Sequence, residues 1–126
     1  MKEIQIDIIE NKALLLGDNH FETGALILTS GQEIKEGAFL QRGNPGIFEL
    51  VTDTDTEEPV AIVPVTVKNT LASSLKISLR ACIAGKVRAD MLHVNGDAVN
   101  TDQIDLIRKY GFIPIYTKDV SRLDNQ

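Results

Sequence analysis

Few side chains in this 126-residue sequence have the types and spacing for acid–base, nucleophilic or metal chemistry. Asp18 precedes His20 by two residues, a spacing common in turns, and a metal or general-base role for His20 or His93 needs further convergent carboxylates. The single cysteine, Cys82, follows the alternation of an apolar strand with only Arg80 near it, which favours a structural thiol over a nucleophile. We therefore expect no catalytic site, no bound metal and no cofactor, and predict that the protein is not an enzyme.

Two polar segments could offer ligands to an ion, but neither has the spacing of a known site. The segment "TDTDTEE" (residues 52–58) is rich in the oxygen ligands that hard cations prefer, yet it lacks the glycine and the distant glutamate of an EF-hand loop. The segment "GNPG" (residues 43–46) is followed by no Lys-Ser or Lys-Thr pair, so it does not match a phosphate loop. We interpret the first as a solvated acidic turn and the second as a tight connection between strands.

Length and composition predict one globular domain in a cytoplasm. Hydrophobic residues make up 43% of the chain and charged residues 25%, enough apolar side chains for a single core. Thirteen basic against eighteen acidic residues give a net charge of −5 without a basic block, which argues against binding nucleic acid through its phosphates. The apolar runs fall far short of the roughly 20 residues that span a bilayer, and the amino terminus lacks a signal-peptide pattern. We expect neither nucleic acid nor a membrane as a partner.

Most of the chain has the two-residue period of β-strands. In the first residues, Ile4, Ile6 and Ile8 alternate with Gln5 and Asp7, which predicts a strand with one apolar face. Further strands or extended segments are predicted, with turns between them, at residues 13–16, 25–28, 47–51, 60–67, 75–85 and 112–120.

Two places depart from the plain strand pattern. Pro64 lies in the middle of "VAIVPVTV" and cannot donate to a ladder, so this strand must lie at an edge or bend there. One helix is predicted between Asn100, which can cap it, and Gly111, which can end it in the left-handed conformation, with Gln103 at the capping-box position. The sequence therefore predicts a mainly β (α+β) single domain with one short helix near Asn100–Gly111.

An ordered set of short motifs covers the chain from about Leu26 to Ile115. In order they are "GQEIKEGAFLQR", "FELVTD", "EEPVAIVPVTV", "AGKVRADML" and "IRKYGFIPI". Taken together, the motifs resemble those of the bacteriophage head decoration proteins of the lambda type, the capsid-stabilising protein D family. The matching residues are Gly31, Gly37, Leu40, Arg42, Phe48, Leu50, Val60, Ala61, Ile62, Gly85, Val87, Leu92, Ile107, Arg108, Gly111 and Phe112.

The resemblance implies a β-clip-like fold and a structural role. Such a phage or prophage protein would form a homotrimer, bind the major capsid protein on the outside of the expanded head and stabilise it against DNA pressure. It would be made in the cytoplasm of the host bacterium and end on the virion capsid surface. The resemblance also divides the chain into an arm or first strands (residues 1–22), a decoration domain (residues 23–120) and a C-terminal tail (residues 121–126).

In that family an amino-terminal arm adds a strand to a sheet of the capsid protein. The candidate capsid-contact residues are therefore Ile4, Gln5, Ile6, Asp7 and Ile8, whose alternation suits addition to an exposed sheet edge. Family arms tend to be rich in Thr, Ser and Pro, whereas this segment is rich in isoleucine. The same pattern is equally that of an ordinary first strand in the domain's own sheet, and both interpretations stay open.

A second function of a different class is a small ligand-binding β-clip module of a bacterial protein. In that interpretation the "GNPG" loop and the acidic "TDTDTEE" segment rim a polar pocket. The sequence holds no Trp and two Tyr, so it offers little of the aromatic platform that sugar recognition usually needs.

Overall fold

A computed structural model describes residues 13–116, which contain ten strands, one α-helix and a single turn of 3₁₀ helix at Ala89–Met91. The helix α1 spans Thr101–Arg108. The strands are β1 (Leu15–Leu28), β2 (Glu33–Ile34), β3 (Phe39–Arg42), β4 (Ile47–Leu50), β5 (Ala61–Ile62), β6 (Val67–Lys68), β7 (Leu75–Arg88), β8 (His93–Val94), β9 (Asp97–Ala98) and β10 (Phe112–Ile115). The predicted mainly β fold with one short helix is confirmed.

Five strands close into a ring. Their hydrogen-bonded order is β1-β4-β3-β5-β7, and β1 also pairs with β7 along most of its length, which makes the sheet barrel-like. β1 and β4 run parallel, whereas all other neighbours in the ring run antiparallel. Strands β2 and β6 form a two-stranded sheet of their own, as do β8 and β9.

The end of β7 leaves the ring and enters a three-stranded extension. One edge of β7 pairs with β1 throughout, while the other pairs with β5 at Cys82 and with β10 from Gly85 to Arg88. Gly85 lies at this transition with a φ of 113°, a backbone conformation that residues other than glycine rarely adopt. We call the start of β1 (residues 15–19), the end of β7 (residues 85–88) and β10 the extension.

The ring encloses one apolar core, which we call the barrel core. Its buried members are Leu26, Leu28, Ile34, Ala38, Leu40, Phe48, Ala61, Val63, Leu79 and Ala81. All five ring strands contribute, so the removal of this apolar surface from water stabilises the closed arrangement of the strands.

A second core, the outer core, covers the opposite face of β3, β5 and β7. Phe39 and Ile62 belong to it although their neighbours Leu40 and Ala61 face the barrel core, because successive side chains of a strand point to opposite faces. Helix α1 and β10 supply the covering layer. The buried members are Leu14, Phe39, Val51, Ile62, Cys82, Val87, Ala89, Leu92, Val94, Ile104, Ile107 and Phe112.

The two short strands predicted at residues 13–16 and 25–28 are in fact one continuous strand. β1 runs from Leu15 to Leu28 through the polar stretch "GDNHFETG", because its partner β7 supplies hydrogen bonds along its whole length. The register shifts near Gly17 and Asp18, whose φ values are 136° and 54°, so the irregularity is absorbed by a bulge rather than by a break. Strand β1 also passes through residue 22, where the sequence suggested the end of the arm.

The strand predicted at residues 60–67 was expected to lie at an edge or to bend at Pro64, and in the structure it is broken there. The segment 60–67 contains β5 before the proline and only the start of β6 after it, and these strands belong to different sheets. Pro64 therefore separates the ring from the small β2–β6 sheet.

The helix begins and ends at the predicted signals. The Asn100 side chain accepts a hydrogen bond from the Gln103 amide, and the Gln103 side chain accepts one from the Asn100 amide, both at 2.9 Å. Gly111 follows with a φ of 98° and directs the chain into β10. Ile104 and Ile107 point into the outer core. Among residues 13–116, no helix has the length and apolar character to cross a bilayer.

Candidate functional site

The five candidate capsid-contact residues are Ile4, Gln5, Ile6, Asp7 and Ile8, and all lie outside the described residues. Their role stays a prediction. The features that could carry function in residues 13–116 are a cleft, two polar loops and the free edge of β10.

The histidines do not join a cluster of ligands in the described part of the chain. His20 is exposed on β1, and the neighbouring Asp18 carboxylate lies 3.4 Å from the Lys86 ammonium group. His93 is half-buried on β8, with Nε2 at 3.1 Å from the carbonyl oxygen of Glu36. Between residues 13 and 116, no three His, Cys, Asp or Glu side chains are grouped so that they could hold a metal ion.

Cys82 is a buried thiol, as the strand pattern predicted. Its side chain has no exposed surface and belongs to the outer core, and burial raises the pKa of the thiol. The Sγ atom lies 3.3 Å from the carbonyl oxygen of Ala84, to which the thiol donates, and the side-chain amide of Asn19 donates to Sγ at 3.7 Å. A raised pKa disfavours the thiolate, which is the reactive form of cysteine.

The acidic segment 52–58 folds around the carboxylate of Glu57. The amides of Thr52 and Asp53 each donate to Glu57 Oε1 at 2.9 Å, and Gln41 Nε2 donates to Oε2 at 2.6 Å. These hydrogen bonds favour the charged form of Glu57 and so hold its pKa below the usual value, with the largest contribution from the Thr52 amide. The Asp53 carboxylate accepts from the Asp55 amide in the same way. The segment is a turn, as predicted, and the structure shows in addition that its own side chains close it.

The "GNPG" loop connects β3 to β4, and an ion pair lies beside it. Arg42 donates through both terminal nitrogens to the two carboxylate oxygens of Glu22, with Nη2 at 2.9 Å from Oε1. This hydrogen bonding lowers the pKa of Glu22. The guanidinium carbon also lies 5.7 Å from the centre of the Phe48 ring. Sequence reasoning missed the pair, because nothing local links residues 22 and 42 before β1, β4 and β3 are placed side by side.

The two loops do not rim one pocket, so this part of the ligand-binding interpretation is wrong. The "GNPG" loop precedes β4 and the acidic segment follows it, which puts them at opposite ends of the same strand. The first lines a small cavity of about 190 Å³ with Glu22 and Arg42. The second borders a different, open depression of about 550 Å³ beside the start of α1.

A third cleft lies between β2, the 3₁₀ turn and the β8–β9 hairpin. Its volume is about 470 Å³, within the range of small-molecule sites. Ile34, Ala38 and Met91 give it apolar walls, while Glu33 and Lys35 stand among its charged lining residues. The sequence contained no signal for this cleft, because its walls come from three separate segments.

Large apolar side chains are exposed at several places on the described surface. Two of them, Ile113 and Tyr116, belong to β10 and the residue that follows it, with exposed fractions of 48% and 44%. The other three are Ile27, Val65 and Leu71.

Comparison with family models, with curated proteins and with solved structures gives no match for this chain.

Proposed function

We propose that this chain is a phage or prophage head decoration protein that binds the major capsid protein on the outside of the expanded capsid as a homotrimer. The observation that supports the proposal is the ordered set of short motifs between Leu26 and Ile115. The role is mechanical: the protein holds neighbouring capsid subunits together against the pressure of packaged DNA.

The motif residues have identifiable physical roles in one fold, which is what a shared fold requires. Leu40 and Phe48 lie in the barrel core, and Ile107 lies in the outer core. Gly37 has a φ of 93°, and a Cβ there would meet the carbonyl oxygen of Met91 at 2.0 Å. A Cβ on Gly85 would also come too close to β1, at 2.5 Å from the carbonyl oxygen of Asp18. The motif residues thus have structural roles in this chain, and the proposed function rests on the resemblance of their order to that of the family.

Weak contacts at each capsid position suffice for such a protein. Three copies of residues 4–8 on one trimer would act at high effective concentration once the first had bound. Each copy would add a strand to an exposed edge of the capsid protein, with main-chain hydrogen bonds supplying affinity.

The proposal is tested by mixing the purified protein with empty capsid shells, expanded and unexpanded, and measuring co-sedimentation. We expect saturable binding to expanded shells and little binding to unexpanded ones. A chain lacking residues 1–11 should stay folded and lose binding. Equal binding by the truncated chain would overturn the role of the arm, and absence of binding by the full chain to any shell of its own phage would overturn decoration.

Sedimentation of the free protein tests the trimer separately. Analytical ultracentrifugation at assembly-relevant concentration should give a species of three times the 13.8 kDa chain mass. A strictly monomeric species would contradict the trimer.

The second candidate is a small ligand-binding module, and the 470 Å³ cleft favours it. Its apolar walls and charged rim suit a small molecule with one apolar face. Thermal shift screening of small molecules would reveal such a ligand. The matched control is Ala98→Trp, whose indole should fill the cleft. A ligand that stabilises the native chain and not the variant would support this candidate over decoration.

A further inference from the structure

Strand β10 is an edge strand in the described part of the sheet. The ring strands have neighbours on both sides, whereas β10 pairs with β7 alone among residues 13–116. An edge strand presents backbone donors and acceptors that can pair with a further strand.

The backbone groups that point outward can be identified from the register. Gly85 donates its amide to the Gly111 carbonyl at 3.1 Å, and Phe112 pairs with Gly85. In a parallel ladder with this register, the amides of Ile113 and Ile115 point toward β7, and those of Phe112 and Tyr116 point away. Pro114 also lies on the outward side and has no N–H, so the free edge lacks one donor.

One face of the extension is also open. Phe112 and Pro114 are buried, on the side of the outer core, and Ile113 and Ile115 lie on the opposite face. Ile113 is 48% exposed, and Tyr116 at the end of the strand is 44% exposed. A strand added beside β10 with an apolar face would cover Ile113 and Ile115, which share one face.

Both ends of the described chain lie at the same end of the extension. Leu15, at the start of β1, and Pro114, near the end of β10, are both paired with Val87 of β7. Since β1 runs antiparallel to β7 and β10 runs parallel to it, β1 begins where β10 ends. Residues 1–12 and 117–126 therefore connect to the extension at the same end.

We propose that residues 4–8 of the same chain add to the free edge of β10 as a parallel strand in the protein before it meets a partner. Their isoleucines alternate over five residues, so one apolar face can continue the row of Ile113 and Ile115. The other terminal segment, "TKDVSRLDNQ", has only Val120 and Leu123 as apolar residues, and these lack the two-residue period.

The connection is long enough for this placement. From β1 across β7 and β10 to a new strand is three strand spacings, about 14 Å. The six steps from Ile8 to Leu14 can span about 20 Å. Leu14 is fixed, because its carbonyl accepts from the Arg88 amide at 2.8 Å, so the crossing starts from a defined point.

The missing donor of Pro114 favours a tethered strand over a second molecule. An edge with one donor fewer binds a free chain weakly, which blunts pairing between copies. A segment of the same chain acts at high effective concentration and needs less affinity. This inference goes beyond the proposed function, because it concerns the free protein: the capsid would have to displace residues 4–8 from β10 before it could bind them.

Hydrogen exchange of single amides, measured by NMR on the full chain and on a chain lacking residues 1–11, tests the proposal. We expect the outward amides of Phe112 and Tyr116 to exchange at least about tenfold faster after truncation. The inward amides of Ile113 and Ile115 are the internal control and should change little, which also shows that β10 remains paired with β7. Equal exchange of the outward amides in both chains would overturn the proposal.

Point variants and dilution separate the possible occupants. Ile6→Pro should raise exchange of the outward amides as truncation does, whereas Lys2→Pro, outside the alternating segment, should not. Protection that is lost on dilution would mean that a second copy supplies the strand, which would overturn pairing within one chain. Co-sedimentation with capsid shells is a separate measurement, so a failure of decoration and a failure of this docking can be told apart.

Discussion

The closed ring and the extension share strands β1 and β7 but differ in how their edges are used. In the ring, every strand has a neighbour on each side, and the barrel core fills the interior. In the extension, β10 has a neighbour on one side only within residues 13–116, and Ile113 and Tyr116 are about half exposed. The same two strands therefore close the ring along one part of their length and, along the other part, support β10 and its free edge.

This difference separates stability from recognition. Apolar side chains in a closed ring lose their surface to one another, so their truncation costs folding free energy. Apolar side chains on an unpaired edge contribute little to folding and remain available for a further strand. Substitutions of one chemical type, placed in both regions, can therefore measure the contrast.

The largest expected effect comes from truncating an aromatic ring in each region. Phe48 is 2% exposed in the barrel core, so Phe48→Ala should lower the free energy of unfolding by about 3–5 kcal/mol. Tyr116→Ala in the extension should change it by less than about 1 kcal/mol. Urea unfolding followed by circular dichroism measures both variants. Similar losses from the two substitutions would remove the contrast between ring and extension.

The junction of the two regions is tested by glycine substitutions. A Cβ on Gly85 would meet the carbonyl oxygen of Asp18 at 2.5 Å and the Cα of Asn19 at 2.7 Å. With its φ of 113°, Gly85→Ala should cost about 3 kcal/mol through strain and displacement of the β1 bulge. Gly17 is the matched control, since its φ is 136° and a Cβ there meets nothing within 4 Å. Gly17→Ala should cost about 1 kcal/mol.

An equal cost for both glycine variants in urea unfolding would show that strain alone matters and that the close approach of the strands does not. A larger cost for Gly85→Ala would locate the constraint in the contact between β7 and the bulge. That contact is where the ring ends and the extension begins.

The far end of the ring depends on one buried amide. Asn69 has no exposed surface, and its side-chain nitrogen donates to the carbonyl oxygens of Leu28, Thr29 and Ser73 at 2.9–3.1 Å. Asn69→Ala leaves these acceptors without that donor and should cost about 2 kcal/mol. The exposed neighbour Thr70, changed to Ala, should cost less than about 0.5 kcal/mol. Thermal unfolding of both variants is the measurement, and equal midpoints would contradict the role of the amide.

Local signals were sufficient where a single segment determines its own structure. The helix could be predicted because Asn100, Gln103 and Gly111 act within one turn of the helix ends. The interruption at Pro64 could be predicted because a missing N–H is a property of the residue itself. The alternation from Leu75 onward likewise predicted most of β7.

Features made by distant segments could not be predicted. The polar middle of β1 is a strand only because β7 lies beside it, and no local pattern marks it. The cleft and the pair of Glu22 with Arg42 depend on strand order, which the sequence did not specify. The two-residue period places Cys82 on the strand face opposite Leu79 and Ala81, and the sequence did not show that α1 and β10 cover that face with the outer core.

The smallest expected effect is on the pH dependence of stability. It shows whether the acidic turn, which is attached to the ring, adds to the stability of the ring. Hydrogen bonds from the Thr52 amide, Gln41 and the Asp53 amide lower the pKa of Glu57 below its usual value. A lowered folded-state pKa stabilises the fold above the unfolded value, and this contribution is lost as the pH falls through the folded value. The urea midpoint should therefore fall between pH 7 and pH 3 by less in Glu57→Gln than in the native chain. Glu58→Gln, next to it, is the control and should behave as the native chain does. If Glu57→Gln shows the same fall as the native chain, the carboxylate does not fasten the turn to β3, and the ring owes its stability to its cores alone.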